Sequence, residues 1–306
     1  MIHVKVPATV ANFGPAFDAL AVAVTLHNYV SLERDATARV EIDGEGRDQL
    51  PHNGTNLVHR AAVEAARRIG RDDERFFVRC VNRIPIGRGL GSSAAAIVGG
   101  AVAANELFGG RLNPADLLDL AWRMEGHPDN VAAALFGGGV LTCATDGRVA
   151  WTRIDPSWTV ALVIAVPEFA VPTVAARAAL PERVLLSDAA ANLGRTGWLV
   201  TAMLTGRTHL LSTAMEDSLH QPYRRALVPG LDEVFAAAKG AGAYSAALCG
   251  SGPSIVAVAP PEAAASVGQK MVEAFARSGS ASQYLLLDID KHGAVVETTK
   301  ADGSRQ

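Results

Sequence analysis

Glycine and serine residues between Pro85 and Ser93 form the segment of this chain that is best suited to chemistry. The sequence PIGRGLGSS runs there directly into the alanine-rich stretch AAAIVGGAVAANEL. Three glycines at alternate positions from 87 to 91 allow positive φ values and a close approach of the backbone to a ligand. The serines open a predicted helix, whose first N–H groups are unpaired and carry the positive end of the helix dipole. The segment therefore predicts a pocket for an anion, with phosphate as the first candidate.

The same segment is compatible with two other structures. One is a tight strand–helix connection with a serine cap and nothing bound. The other is a dinucleotide-binding turn, since GLGSSA fits the pattern G-x-G-x-x-A. Pro85 and Arg88 argue against the latter, because they interrupt the apolar strand that should lead into such a turn. The lysine-bearing phosphate loop, GxxxxGK[ST], does not occur in the sequence, so a phosphate must be held by a different scaffold.

A glutamate near the middle of the chain is the second unusual feature. The stretch NPADLLDLAWRMEG predicts a helix with Asn113 as its cap, Pro114 at its first position and Gly126 at its end. Glu125 then falls in the last turn, where a negative charge costs roughly 0.3–1 kcal/mol against the helix dipole. A local rule broken in this way points to a functional residue, with a solvated surface glutamate as the alternative.

Predicted strands and helices that are interspersed along the chain must position these residues. The polar residues 292–306 are expected to fray, and the helix at 129–138 is expected to begin with Asp129 or Asn130 as its cap. The pattern predicts an α+β protein with mixed sheets and a seam near residue 155. Predicted strands cover residues 3–12, 21–35, 38–44, 75–85, 159–167 and 282–290, with hairpin-like pairs at 139–154 and 243–260. Predicted helices cover residues 113–126, 129–138, much of 172–240, 261–279 and the stretch from residue 92. A further helix is predicted at 55–70, with Thr55 or Asn56 as its cap.

The composition excludes several classes of protein. The 306 residues are 49% hydrophobic and 19% charged with a net charge of −3, and no long basic run is present, so a nucleic-acid partner is not expected. Cys80, Cys143 and Cys249 lack CxxC spacing and are interpreted as reduced core thiols, which favours a cytoplasmic protein. No apolar leader and no unbroken apolar stretch of about 18 residues occurs, so neither a signal peptide nor a membrane span is expected.

Three motifs in order resemble those of the GHMP kinases, the superfamily named for galactokinase, homoserine kinase, mevalonate kinase and phosphomevalonate kinase. PIGRGLGSSAAA is similar to the central motif, VPATVANFGPAFDAL to the N-terminal substrate motif and CGSGPSIVAV to the C-terminal glycine motif. The nearest match is the homoserine kinase family, which RMEGHPDNVAAALFGGGV, VPTVAARAALP and HQPYRRALVPG also resemble. The resemblance covers residues 4–258. Val10 and Ala16 stand where that family has serine and glycine, and Ala16 puts the local turn geometry in question.

The resemblance implies a two-domain GHMP kinase fold. A domain similar to domain 2 of ribosomal protein S5 is expected at residues 1–155, and a ferredoxin-like α/β sandwich at 156–306. The implied activity is phosphorylation of the side-chain hydroxyl of L-homoserine with ATP and Mg²⁺, in threonine biosynthesis, and the superfamily makes a homodimer an expectation. The alternatives are a kinase for mevalonate or 4-diphosphocytidyl-methylerythritol and a catalytically silent ligand-binding relative.

The resemblance also assigns site residues. Arg177 and Arg224 are expected to bind the carboxylate of the acceptor, and Asp18 is expected to bind its ammonium. Each arginine taken alone could equally be an exposed solubilising charge. ATP is expected at Asn56, Pro85, Ile86, Gly87, Arg88, Gly89, Leu90, Gly91, Ser92, Ser93, Gly250, Ser251 and Gly252. Mg²⁺ is expected at Ser93 and Glu125. Homoserine is expected at Asn12, Asp18, His127, Thr173, Arg177 and Arg224.

The catalytic step is expected to involve Asn130, His127 and Asp129. Asn130 stands where mevalonate kinase and galactokinase have an aspartate, and an amide cannot usefully accept a proton. We therefore expect direct in-line attack by the substrate hydroxyl, with catalysis by positioning and electrostatics. Asp129 is expected to cap the following helix, and His127 as a general base is the alternative.

Overall fold

Two β-sheets carry the helices of this protein, whose computed structural model describes residues 1–297. The first sheet has the order β11-β1-β2-β4-β3, with β5 pairing with β2 and β6 with β5. The second has the order β10-β7-β9-β8. The strands are β1 (Ile2–Ala11), β2 (Leu20–Arg34), β3 (Val40–Gly44), β4 (Phe76–Asn82), β5 (Gly139–Thr145), β6 (Arg148–Ile154), β7 (Ala161–Pro167), β8 (Ser245–Leu248), β9 (Ile255–Ala259), β10 (Ser282–Leu287) and β11 (Val295–Glu297).

Ten α-helices are assigned within the described residues. They are α1 (Leu57–Arg68), α2 (Ser92–Leu107), α3 (Pro114–Glu125), α4 (Pro128–Phe136), α5 (Thr173–Ala178), α6 (Leu186–Thr205), α7 (Leu211–Ala214), α8 (Gln221–Arg224), α9 (Leu231–Gly240) and α10 (Ala264–Arg277). No helix between residues 1 and 297 has the length and hydropathy that a membrane crossing requires.

A break in register divides the pairing of β1 with β2. Pro7 lies opposite His27, but the next residue, Ala8, lies opposite Val24. Proline has no N–H to donate, which is why such an irregularity is tolerated at this point. Beyond the break, the backbone N–H of Thr9 donates to the Leu90 carbonyl, so β1 contacts the predicted phosphate loop directly.

Whereas the first sheet is mixed, since β3 pairs parallel with β4, the second sheet differs from the mixed sheets that the sequence predicted. All its pairings are antiparallel, and β7 lies between β10 and β9. With β7 as its first strand the order is 4-1-3-2, which agrees with the expected ferredoxin-like arrangement. Helices α9 and α10 cover one face, where Val234 and Phe275 pack on Val163 and Ile255 in a buried cluster.

Two glycines inside α2 allow that helix to pack closely on its neighbours. A Cβ on Gly100 would lie 2.2 Å from the Val58 carbonyl oxygen in α1, and one on Gly99 would lie 2.8 Å from the Val30 side chain in the sheet. Each glycine costs about 1 kcal/mol of helix propensity relative to alanine. Both glycines are buried, so the middle of α2 packs against α1 and the first sheet at distances that a side chain would not allow.

Most predicted elements are confirmed, and the differences are local. Helix α3 has Asn113 as a side-chain cap and ends before Gly126, as predicted. The cap predicted for α4 is wrong: the helix begins at Pro128 with His127 as its cap residue, because proline favours the first helical position. Cys80 and Cys249 are buried as expected, but Cys143 is exposed.

The C-terminal segment returns to the first sheet. The seam expected at residue 155 falls between β6 and β7, yet β11 pairs antiparallel with β1 after the second sheet is complete. The prediction that residues 292–306 fray is therefore wrong for Val295–Glu297, while residues 298–306 lie outside the described part of the chain. Asp290 secures this return, because its carboxylate accepts from His27 at 2.7 Å and from the backbone N–H groups of His292 and Gly293.

Candidate active site

A cavity of about 350 Å³ opens where the N-terminus of α2 meets the loops of both sheets. Here we call residues 85–91 the glycine loop, residues 12–18 the substrate loop and residues 250–254 the glycine turn. All three border the cavity, together with α1, the α3–α4 junction, α5 and α8. The predicted site residues on its wall are Asn12, Asp18, Asn56, Pro85, Ile86, Gly87, Gly89, Leu90, Gly91, Ser92, Ser93, Glu125, His127, Asp129, Asn130, Thr173, Arg177, Arg224, Gly250 and Ser251.

Two predicted residues are not on the wall. The guanidinium of Arg88 donates to the backbone carbonyls of Pro167 and Glu168, which turns it toward the end of β7. Gly252 lies behind the glycine loop, where its carbonyl oxygen would be 2.9 Å from a Cβ on Gly89. Both residues thus support the glycine loop from outside the cavity.

The glycine loop has no room for side chains at two of its glycines. Gly89 has φ +75°, and a Cβ there would lie 2.1 Å from the Cys249 carbonyl oxygen. Gly91 has φ +70°, and a Cβ there would lie 2.0 Å from Thr9 Oγ1. As the cap residue of α2, Gly91 offers no side-chain acceptor, so the first N–H groups of the helix keep their capacity to bind an anion.

Two side-chain oxygen groups meet beside this loop. The Ser93 hydroxyl in the first turn of α2 donates to Glu125 Oε1 over 2.5 Å. Glu125 is the last residue of α3, and its side chain is only 9% exposed, so the solvated surface glutamate considered from the sequence is not what the structure contains. A hydroxyl and a carboxylate in contact at a phosphate-type loop are the hard oxygen donors that Mg²⁺ prefers.

The α3–α4 junction forms a chain of polar contacts. The Nδ1 atom of His127 lies 3.0 Å from Asp129 Oδ1, and its Nε2 atom lies 3.6 Å from Glu125 Oε1. Burial disfavours the charged imidazole, but the hydrogen bond to Asp129 and the charges of both carboxylates outweigh it, so the pKa of His127 is raised above its usual value. Asp129 Oδ1 also accepts from the backbone N–H of Asn130. It therefore satisfies a first-turn donor of α4 without being the cap residue.

Asn130 is oriented by a residue that the sequence did not single out. Thr9 Oγ1 in β1 donates to Asn130 Oδ1 over 2.6 Å, and both residues are buried. Because the amide oxygen is engaged by Thr9, the amide nitrogen is fixed on the other side, 3.3 Å from Asp129. Only tertiary structure brings residues 9 and 130 together, so no local sequence signal could have revealed the contact.

The substrate loop has a strained backbone. Asn12, Phe13 and Asp18 all have positive φ values, of 73°, 45° and 54°. The Asn12 amide holds the loop together, since its Oδ1 accepts from the Asp18 backbone N–H and its Nδ2 donates to the Gly250 carbonyl. Ala16, which stands in place of a family glycine, is not among the positive-φ residues, so the departure leaves the turn intact. Backbone strain of this kind is typical of ligand-binding loops.

Two residues assigned to opposite ends of the substrate contact one another. The Arg177 guanidinium in α5 donates to both oxygens of Asp18, over 3.1 and 2.8 Å. The sequence assigned Asp18 to an ammonium and Arg177 to a carboxylate, and did not anticipate this bidentate pair. Both side chains are about one-third exposed, at 33% and 38%, so the pair faces solvent within the cavity.

Arg224 is held rigidly by three acceptors. Its Nε donates to the Ala176 carbonyl, and its Nη1 donates to the Gly250 carbonyl and to His220 Nδ1, over 3.0 to 3.2 Å. The residue is 2% exposed, and burial together with the charge of Arg177 lowers the pKa of Arg224 to about 10. Arg224 therefore remains charged near neutral pH, with a single orientation at the cavity wall.

His220 completes this support. His220 Nε2 lies 2.7 Å from the Gly14 carbonyl oxygen, so the imidazole bears its proton there and its Nδ1 accepts from Arg224. Its ring stacks on Phe17 with centroids 5.2 Å apart. Burial lowers the pKa of His220, which keeps the ring neutral. The spacing of four residues between His220 and Arg224 in HQPYR was the available sequence signal for this contact.

The far wall of the cavity is less polar. Asn56 caps α1 by accepting from the Val58 N–H over 2.9 Å, and its Nδ2 donates to the Pro51 carbonyl. The cap predicted for α1 is thus confirmed, and both ends of the Asn56 amide are engaged by protein. Phe17, against which the Arg177 and Arg224 guanidinium groups lie, also lines the cavity. The other lining residues that the sequence did not assign to the site are Asn28, Leu50, Pro51, Thr55, Leu57, Val58, Cys80, Asn82 and Ala96.

Comparison with known proteins agrees with this architecture. Two family models match the chain: "GHMP kinases N terminal domain" over residues 56–138 and "GHMP kinases C terminal" over residues 199–277. The homoserine kinase of Moorella thermoacetica is 42% identical over 293 residues, covering 96% of this chain and 99% of its own. That of Desulfitobacterium hafniense is 40% identical and covers 97% and 100%.

Solved structures lead to the same family. The crystal structure of homoserine kinase from Cytophaga hutchinsonii superposes with a TM-score of 0.87 at 33% identity, covering 97% of both chains. A mevalonate kinase structure reaches a TM-score of 0.70 at 12% identity, which shows a shared fold only. The chain therefore belongs to the GHMP kinases and, within them, to the homoserine kinase family.

Proposed function

We propose that this protein transfers the γ-phosphoryl group of ATP to the side-chain hydroxyl of L-homoserine in the cytoplasm, as a step of threonine biosynthesis. The observation that carries the proposal is the charge arrangement of the cavity. Asp18, Arg177 and Arg224 line the same cavity as the glycine loop. A zwitterionic amino acid needs one anionic and at least one cationic partner, and a phosphoryl donor needs an anion site beside them.

Backbone N–H groups are proposed to bind the phosphates of ATP. The N–H groups from Gly89 to Ser93 are suited to the phosphates of ATP, because no side chain occupies the turn and α2 adds the positive end of its dipole. Ser93 and Glu125 fit a magnesium ion, since their oxygens already converge within 2.5 Å. When bound there, Mg²⁺ supplies charge neutralisation for the phosphates.

Homoserine is proposed to bind by an exchange of ion pairs. Asp18 and Arg177 form an ion pair with one another in this structure. On binding, the homoserine ammonium would pair with Asp18 and the homoserine carboxylate with Arg177. Each of the two side chains would then keep a partner of opposite charge before and after substrate binding. Arg224 needs no such exchange: among the described residues, no acceptor meets its Nη2, which leaves a fixed donor for the same carboxylate.

The chemical step is an in-line displacement. The homoserine hydroxyl oxygen forms a bond to the γ-phosphorus as the bond from that phosphorus to the β–γ bridging oxygen of ATP breaks, and ADP leaves. The hydroxyl proton passes to an oxygen of the transferred phosphate. Asn130, whose amide is oriented by Thr9, can hold the hydroxyl in line without taking its proton. Catalysis then comes from position and electrostatics.

A general base would have to be His127 or Asp129. The nitrogens of His127 already face the carboxylates of Asp129 and Glu125. Asp129 is 1% exposed and accepts from the Asn130 N–H. The geometry therefore favours neither residue as a free base. We expect His127→Ala and Asp129→Asn each to reduce turnover by about tenfold, equivalent to about 1.4 kcal/mol. A loss of several thousandfold in either variant would contradict direct attack.

The substrate assignment is tested by one coupled assay. ATP consumption is measured with homoserine, mevalonate and 4-diphosphocytidyl-methylerythritol at equal concentrations. Homoserine should be turned over and the other two should not, because mevalonate lacks the ammonium that Asp18 would bind. Turnover of another alcohol with none on homoserine would refute the substrate, and no turnover of any acceptor would favour a silent ligand-binding relative.

A further inference from the structure

The arginine of the glycine loop contacts the second sheet instead of the cavity. Arg88 was expected to bind ATP, but it is absent from the cavity wall. Its Nε donates to the Pro167 carbonyl over 2.8 Å, its Nη1 donates to the Ile86 carbonyl over 3.0 Å, and its Nη2 donates to the Glu168 carbonyl. Pro167 is the last residue of β7. These three hydrogen bonds, which we call the Arg88 clamp, join the glycine loop to the end of that strand.

The segment that follows β7 leads from the clamp to the acceptor side of the cavity. This segment, residues 168–172, is called the β7–α5 connection. Its Val171 N–H donates to the Gly87 carbonyl over 3.1 Å, and its Ala170 side chain would lie 3.1 Å from a Cβ on Gly87. Helix α5 begins directly after it and carries Arg177, which lines the cavity. The connection therefore packs on the glycine loop and continues into the helix that bears a proposed substrate residue.

We propose that Arg88 is a positioning residue that sets the distance between bound ATP and bound homoserine. The inference rests on the proposed function. ATP is proposed to bind the glycine loop, which belongs to the first half of the chain, whereas Arg177 and Arg224, the proposed partners of the homoserine carboxylate, belong to the second half. The Arg88 clamp joins these halves without lining the cavity. It therefore fixes the in-line geometry of the two substrates while touching neither of them.

A guanidinium suits this clamp better than another cation. Its five N–H donors form a rigid planar fork, whereas a lysine ammonium is a compact point charge on a flexible stem. The three carbonyls around Arg88 come from two segments, Ile86 in the glycine loop and residues 167–168 at the end of β7. Hydrogen bonds from a charged donor are roughly twice as strong as neutral ones. Arg88→Lys should therefore keep part of the clamp, and Arg88→Ala should lose all of it.

Loss of the clamp should slow the reaction rather than weaken binding. A displacement of about 1 Å between reacting groups can lower a rate about 100-fold. The residues proposed to bind each substrate remain in place, so binding changes little. We expect Arg88→Ala to lower kcat about 100-fold and to leave the KM values for ATP and homoserine within about threefold, with Arg88→Lys between it and the wild type. A contact between Arg88 and ATP, as the sequence predicted, would instead raise the KM for ATP.

Kinetics test the proposal with a matched control. Steady-state rates of the wild type, the two Arg88 variants and Arg75→Ala are measured against ATP and homoserine. Arg75 also donates to a backbone carbonyl, that of Ala36, but it lies outside the glycine loop and the cavity wall. Its variant should match the wild type. An Arg88→Ala enzyme with unchanged kcat, or with a KM for ATP raised more than about tenfold, overturns the proposal.

Hydrogen exchange tests the clamp without turnover. In the full chain, Arg88→Ala should speed exchange of the Val171 amide about tenfold, because the β7–α5 connection opens more often. The Val163 amide in the middle of β7 should not change, and neither amide should change in Arg75→Ala. Since this measurement needs no acceptor, a wild type that fails to phosphorylate homoserine refutes the proposed function alone. Unchanged exchange at Val171, or equal acceleration at Val163, overturns the positioning role of Arg88.

Discussion

His220 offers the sharpest test of how Arg224 is held and of its proposed role in binding homoserine. His220 Nδ1 is one of three acceptors around the Arg224 guanidinium, at 3.1 Å from Nη1. We consider two replacements. His220→Leu keeps a similar volume but removes both polar atoms. His220→Gln keeps an acceptor for Arg224 and a donor for the Gly14 carbonyl, so it serves as the conservative control.

The size of the effect follows from burial. Arg224 is 2% exposed, so a lost acceptor cannot be replaced by bulk water. Hydrogen bonds to charged groups contribute about 1.5–3 kcal/mol. The Gly250 carbonyl still accepts from the same nitrogen, which limits the loss to the lower part of that range. With about 1.4 kcal/mol for each factor of ten, the KM for homoserine should rise about 10- to 30-fold.

Kinetics and melting together separate positioning from folding. In the coupled ATP-consumption assay, His220→Leu should raise the homoserine KM while leaving the KM for ATP and kcat within about threefold, and His220→Gln should restore most of the loss. Thermal unfolding of both variants is measured alongside. If His220→Leu lowers the melting temperature but leaves the homoserine KM unchanged, His220 stabilises the fold and does not position Arg224.

Three further outcomes are expected. Glu125→Gln should raise the Mg²⁺ concentration for half-maximal rate about 10- to 100-fold; an unchanged Mg²⁺ titration would remove Glu125 from the metal site. Gly89→Ala should abolish ATP-dependent turnover, because its Cβ would clash with a backbone carbonyl, whereas Gly70→Ala, also at positive φ but unobstructed, should cost only about 1–2 kcal/mol of stability; equal effects on turnover would contradict the loop geometry. Burial alone would raise the pKa of Asp290, but hydrogen bonds from His27 and the backbone lower it. The stabilisation of the fold by Asp290 is therefore complete above the pKa of the unfolded chain and is lost as pH falls through the lower pKa of the folded protein. Asp290→Asn should flatten the fall in the free energy of unfolding at acid pH, and an unchanged fall would refute the linkage.

The sequence predicted the parts of the site that depend on local rules. Positive φ at Gly89 and Gly91, the helix that begins at Ser92 and the cap at Asn56 all follow from residue types and short spacings. The two ends of α3 were likewise predicted from Asn113 and Gly126, because cap and stop signals act over a single turn. Resemblance to a family then supplied most of the remaining wall residues.

Contacts between distant segments were beyond local rules. The Thr9–Asn130 hydrogen bond joins residues 121 apart, and the Asp18–Arg177 pair joins residues 159 apart. Such contacts depend on how the two sheets meet, which periodicity does not encode. The error at Val295–Glu297 has the same origin, since a three-residue strand shows no periodicity of its own and depends on the edge of β1 that it joins.

A crystal structure with a non-hydrolysable ATP analogue, Mg²⁺ and homoserine tests the central claim most directly. The account predicts the triphosphate against the backbone from Gly89 to Ser93, the amino-acid carboxylate at Arg224 and the ammonium at Asp18. A triphosphate bound elsewhere, with that turn empty or filled by side chains, would contradict it.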